Sequence, residues 1–99
     1  MERRDAGWHA VELDGDRTVV RIEGKEILVV RTDRGVYAFD ARCPHEGNPL
    51  SEGEILGDTL VCAFHGWRFD LETGACLHGD EPAHRYPVDV RGGDVFVAV

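Results

Sequence analysis

The sequence predicts an all-β domain, with two hairpin-rich halves forming a base and a small subdomain of loops inserted between them. Three observations lead there. Dipeptides that favour turns recur at the short intervals typical of antiparallel strands, at Asp14-Gly15, Glu23-Gly24, Arg34-Gly35, Thr73-Gly74 and Gly92-Gly93. The segments around them are rich in Val and Ile. No segment keeps apolar residues at helical spacing over three turns.

In chain order, strands are expected over residues 18–22, 25–32 and 36–40, and again over 86–91 and 94–99. The cleanest period of two sets Val88 and Val90 against Asp89 and Arg91. Residues 41–81 read differently: they are rich in Gly, Cys, His and acids and poor in long apolar runs, so this stretch cannot bury much apolar area by itself. Such a composition suits a subdomain organised around a metal, inserted between β elements that supply the ordinary core. With no repeat, low-complexity tract or long linker, the chain is expected to be complete and to form one domain, residues 1–99, with room for one modest core.

Composition narrows the class of function. At 42% hydrophobic and 30% charged residues the chain reads as a soluble globular domain. Its first ten residues, MERRDAGWHA, contain no apolar run that could act as a signal peptide or anchor, which places the protein in the cytoplasm. A net charge of −8 argues against nucleic acid and against anionic membrane surfaces as partners. Seven of those eight charges arise between Cys43 and Glu81, where eight carboxylates (Glu46, Glu52, Glu54, Asp58, Asp70, Glu72, Asp80 and Glu81) face one cation, Arg68.

The chemistry is carried by two short motifs. Cys43-Pro44-His45 is followed, after sixteen residues, by Cys62-Ala63-Phe64-His65, so that each loop offers one thiol and one imidazole. Structural zinc sites more often take a Cys pair from one knuckle and a His or Cys pair from the other. One of each per loop suits a binuclear centre in which both thiolates bind one iron and both imidazoles the other; zinc held by the same four residues is the chemical alternative.

The runs CPHEGNPLSEG and DTLVCAFHGWRFDLETG resemble the Rieske ferredoxin family, with its Cys-x-His, a gap of this size, and Cys-x-x-His; the likeness extends over essentially the whole chain. The resemblance implies a Rieske fold, an antiparallel β-sandwich or barrel base carrying a cluster-binding subdomain of two ligand loops at about residues 41–81. It also implies one [2Fe-2S] cluster held by Cys43, His45, Cys62 and His65. Two thiolates and two neutral imidazoles leave the oxidised centre neutral where four thiolates would leave it a dianion, so the potential lies above that of plant-type ferredoxins.

Departures from the respiratory branch of that family point to the low end of its range. Where those proteins carry a second cysteine in each loop, paired as a disulfide, this chain has Asn48 and Phe64; where they carry hydroxyl donors to the cluster, it has Trp67 and Phe69. Fewer donors leave the reduced cluster less stabilised. Gly47, Gly53 and Gly66 are expected to allow tight backbone near the cluster, with an ordinary loop glycine the competing reading at Gly53, and Gly79-Asp80-Glu81-Pro82 resembles the family's covering loop. Cys76 reads as a half-buried packing residue on a strand, and His9, His78 and His84 as surface or loop histidines, of which His78 and His84 could lie near the cluster.

One domain with one cluster implies, by the same resemblance, a soluble one-electron carrier and not an enzyme. It would take electrons from a flavin-dependent reductase and give them to a terminal oxygenase with a basic docking face. Two alternatives stand beside it: the Rieske-like small subunit of an assimilatory nitrite reductase, and the Rieske fragment of an oxygenase large subunit.

Overall fold

Ile27, Leu28, Val29 and Val30 are all fully buried, four in a row, so the strand that carries them must be covered on both faces. The computed structural model describes residues 7–13, 15–42, 49–62, 66–77 and 82–99, and it shows what covers them. The strands are β1 Trp8–Val11, β2 Arg17–Ile22, β3 Lys25–Thr32, β4 Gly35–Asp40, β5 Glu54–Leu56, β6 Thr59–Val61, β7 Arg68–Asp70, β8 Arg85–Tyr86, β9 Val88–Arg91 and β10 Asp94–Ala98. A 3-10 turn, Leu50–Glu52, precedes β5. No helix among the described residues is long and apolar enough to cross a membrane.

Among the described residues the strands form three sheets in the orders β2-β3-β4-β8, β1-β10-β9 and β5-β6-β7, with their pairings antiparallel. The first lies in the middle. Ile27 and Val29 point to one side, into a core shared with Val11, Ile22, Ala38, Tyr86, Val95 and Val97. Leu28 and Val30 point to the other, into a core shared with Phe39, Leu50, Leu60, Cys62, Phe69 and Leu71. Period-two alternation in β3 thus sends successive residues into two different cores.

The strand expected over 25–32 appears with those bounds, and those over 18–22, 36–40 and 94–99 differ from the observed strands by one residue at one end. The one expected over 86–91 is two strands. Pro87 divides them, since it has no N–H to give to a ladder; its carbonyl instead accepts from Ala98 N–H at 3.0 Å, and the chain leaves β4 for β10 at that point. Residues 41–81 bury more than their composition suggests, because the work is shared. Ile55, Leu60 and Phe69 face inward from successive strands, and Leu60 and Phe69, with Leu50 and Leu71, are fully buried on the base sheet.

Candidate metal centre

Three loops open from one end of the β5-β6-β7 sheet, the end where Glu54, Val61 and Arg68 lie side by side. The first leaves β4 at Ala41, whose N–H donates to Glu26 O at 2.9 Å, and it is closed where Arg42 bridges Pro49 and Leu50 N–H donates to Ala41 O at 2.7 Å. The second leaves β6 at Cys62, whose N–H donates to Trp67 O at 2.7 Å, while Gly66 N–H donates to Cys62 O at 2.9 Å. Gly66 stands at φ 71°, a conformation that a glycine adopts without strain. The third follows Leu77, whose N–H donates to Arg68 O at 2.8 Å, and ends before Ala83, whose N–H donates to Gly74 O at 2.7 Å.

Of the four expected ligands the structure describes Cys62, which is buried at 1% exposure among Leu60, Phe69 and Leu71. A buried thiol in apolar surroundings, at the mouth of a turn that carries a histidine three residues on, fits a thiolate ligand to iron. Cys43, His45 and His65 lie outside the described residues, as do Glu46, Gly47, Asn48, Phe64, His78, Gly79, Asp80 and Glu81. Among the described residues no group of three His, Cys, Asp or Glu could hold a metal ion.

The remaining expectations divide. Cys76 is half-buried and packed on the core that holds Cys62, as expected, but it makes only an isolated bridge to Phe69 and does not lie on a strand. His9 sits on β1 with Nε2 3.4 Å from Glu23 Oε2, and His84 is exposed, edge-on to the Tyr86 ring at 4.7 Å between centroids. Phe69 is fully buried and Trp67 half-buried against the same core. The ordinary-loop reading of Gly53 is wrong for a reason composition does not show. Its φ is an unremarkable −75°, but a Cβ there would lie 2.3 Å from Val61 O and 3.1 Å from Leu50 O. Glycine is needed because two backbones meet.

The acidic surplus of this segment is unevenly placed. Of the described charges within residues 43–81, Glu52, Glu54 and Arg68 lie at the loop-bearing end of the small sheet; Asp58, Asp70 and Glu72 gather at the opposite end, where Leu71 N–H donates to Asp58 O at 2.9 Å. There Tyr37 OH reaches Glu72 Oε2 at 3.4 Å, and burial, then the Glu72 charge, raises the Tyr37 pKa above its ordinary value. Sequence reasoning gave no role to Arg17 or Glu26, yet Arg17 Nη1 donates to Gly53 O at 2.6 Å and Glu26 Oε1 lies 3.3 Å from Arg42 Nη2. Their partners are distant in sequence, and no local pattern marks them.

Comparison with known proteins agrees with this geometry. The family model described as the Rieske [2Fe-2S] domain matches residues 7–91. The chain is 34% identical over 89 residues to the ferredoxin component of the alkene monooxygenase system of Xanthobacter autotrophicus, covering 85% of this chain and 70% of that protein. It is 44% identical over 69 residues to 4beta-methylsterol monooxygenase of Methylococcus capsulatus, covering 64% of this chain but only 19% of that longer protein. Among solved structures, a complex of reduced oxygenase and oxidised ferredoxin in carbazole 1,9a-dioxygenase contains a chain that superposes with a TM-score of 0.82 at 31% identity, covering 93% of each.

Proposed function

The chain belongs to the Rieske [2Fe-2S] domain family, and on that footing we propose that it is a cytoplasmic one-electron carrier between a flavin-dependent reductase and a terminal oxygenase, with no reaction of its own. The observation that carries this reading is one of scale. The chain matches a ferredoxin component of a monooxygenase system over 85% of its own length and 70% of that protein's. The relatives matched over most of their own length are named ferredoxin components, which supports the carrier over the nitrite reductase subunit.

In this proposal Cys43 and Cys62 hold one iron and His45 and His65 the other. When bound, the cluster accepts and releases one electron at a time. The chain's part is to hold and shield it. Cys62 comes from a strand end buried at 1% exposure, and the fully buried Leu60 and Phe69 pack in the same core, which keeps water from the thiolate side. The segments that carry His45 and His65 join the described chain at the open end of the small sheet, at Arg42 and Pro49 and at Cys62 and Gly66, and that is the end a partner would approach. Trp67, half-buried, and Phe69, fully buried, pack on the core that holds Cys62, and neither has a hydroxyl.

The test is the composition and spectrum of the purified protein. It should hold about two irons and two acid-labile sulfides per chain and titrate near the low end of the Rieske range, roughly −150 mV and not +300 mV. Stoichiometric zinc without labile sulfide, from cells supplied with iron, overturns the reading. A cluster that the reductase of a ring-hydroxylating system cannot reduce would move the chain to another partner.

A further inference from the structure

We propose that Arg17 and Glu26, two charged residues of the base sheet outside any cluster motif, are positioning residues that hold the two ends of the first ligand loop. The inference rests on the reading that this loop carries two of the four cluster ligands. At the start of the loop Glu26 makes three contacts. Its backbone O accepts from Ala41 N–H at 2.9 Å, and its carboxylate meets Arg42 Nη2 at 3.3 Å through Oε1 and Arg21 Nη2 at 3.2 Å through Oε2.

At the return of the loop the Arg17 side chain, 26% exposed, donates from Nη1 to Gly53 O at 2.6 Å. Gly53 N–H donates to Leu50 O at 2.9 Å, and Leu50 N–H donates to Ala41 O at 2.7 Å, so the two anchored ends are also joined to each other. The consequence reaches the second loop. Gly53 packs so closely on Val61 O that a Cβ would lie 2.3 Å away, and Val61 is the residue before Cys62. A shift of Gly53 therefore moves the strand that presents Cys62.

The two anchors should differ in strength. A guanidinium donating to a shielded carbonyl is a charge-assisted bond and stronger than a neutral one. The Glu26 and Arg42 side chains are 37% and 62% exposed, so their ion pair is weakened by solvent. Arg17 should dominate.

The experiment compares Arg17→Met, Arg17→Lys and Glu26→Gln with the wild type and with Arg34→Gln, an exposed arginine of the β3–β4 turn as control. Cluster loss to an iron chelator is followed by visible absorbance, and amide exchange is followed in the cluster-free protein. Arg17→Met should lose its cluster about tenfold to a hundredfold faster than wild type, with Arg17→Lys restoring most of the difference through its ammonium donor. Glu26→Gln should accelerate loss no more than about fivefold. In the cluster-free Met variant the amides of Leu50 and Gly53 should exchange faster while that of Val29, deep in β3, keeps its protection.

Wild-type rates of cluster loss in Arg17→Met overturn the proposal, as does a parallel fall in Val29 protection, which would make Arg17 a support of the whole fold. A wild-type protein without labile sulfide would sink the carrier reading; the amide exchange of Leu50 and Gly53 would still decide this one.

Discussion

The two faces of the β2-β3-β4-β8 sheet are covered in different ways. On one, Val11, Val95 and Val97 come from strands of four and five residues that pair along their full length. On the other, Leu50, Leu60, Cys62, Phe69 and Leu71 come from a 3-10 turn, three-residue strands and the turns between them. Both cores exclude water from β3, but only the first is held by long ladders of its own. The second depends on whatever fixes the loops, and the proposed cluster sits there.

Removing the cluster should therefore separate the two faces, and this is the largest effect expected. Chelation, or His65→Ala, should lower amide protection through residues 50–62 and 66–77 by orders of magnitude while β3 and β10 stay protected. Hydrogen exchange reads both at once. Equal loss on both faces would mean one cooperative unit and would remove the distinction.

The same contrast governs what could be read in the sequence. β3 is legible to the residue because a run of Ile27, Leu28, Val29 and Val30 between Glu-Gly and Asp-Arg turns admits few other assignments. β5, β6 and β7 are not, because each is three residues long and sends a single residue, Ile55, Leu60 or Phe69, into the core. One inward residue makes no period. The break at Pro87 was available to inspection, since a proline inside an apparent six-residue strand is already a warning. In the site, the Cys and His pairs announce themselves by spacing, whereas Arg17 acts on a main-chain carbonyl 36 residues away. Nothing about a carbonyl is specified by residue type.

A pair of alanine substitutions at glycine sharpens the comparison within the cluster side. Gly53→Ala drives a Cβ to 2.3 Å from Val61 O, and as the obstacle is backbone, relief requires two strands to part. The cost should be about 3 kcal/mol, the upper part of the usual overpacking range, with loss of cluster retention. Gly57→Ala meets only open space, and its φ of 63° costs an L residue about 1 kcal/mol. Urea unfolding of both variants, with iron content, checks the ranking; equal costs would show that the close approach relaxes freely.

On the opposite face alkaline pH should act through Tyr86. Burial first, then its 2.7 Å hydrogen bond to Asp40 Oδ1 and that residue's charge, push its pKa up to about 12 from 10.0. A proton held more tightly in the folded state stabilises that state fully below pH 10, and the contribution is lost as pH rises towards 12. A shift of that size corresponds to about 3 kcal/mol at most. In cluster-free protein Tyr86→Phe should flatten the stability profile between pH 10 and 12; Tyr37→Phe, on the cluster side, should flatten it less. An unchanged slope in the Tyr86 variant would place the alkaline transition elsewhere.

The smallest effect concerns the two ends of the small sheet, and it tests whether acidic charge orients a partner with a basic face. Glu54 stands at the end from which the loops open, beside Val61 and Arg68, while Asp58 lies past the other end, beyond Leu56. Two strand steps of about 3.3 Å separate Glu54 from Leu56, so the two acids differ in distance to a docked partner by about one Debye length at 0.1 M salt. At 0.01 M, where the Debye length is about 30 Å, both charges act on the approaching partner nearly equally; at 1 M, where it is about 3 Å, neither steers. The difference should therefore peak between these limits. Near 0.1 M, Glu54→Lys should slow bimolecular electron transfer about twofold more than Asp58→Lys, and Arg68→Glu should speed it. Glu46, next to His45 in sequence, and Glu81, in the segment that resembles the covering loop, should behave like Glu54. Stopped-flow rates across that range of salt decide the matter: if Glu54→Lys and Asp58→Lys slow transfer equally at every ionic strength, the acids only solvate the domain and the partner is oriented by something other than charge.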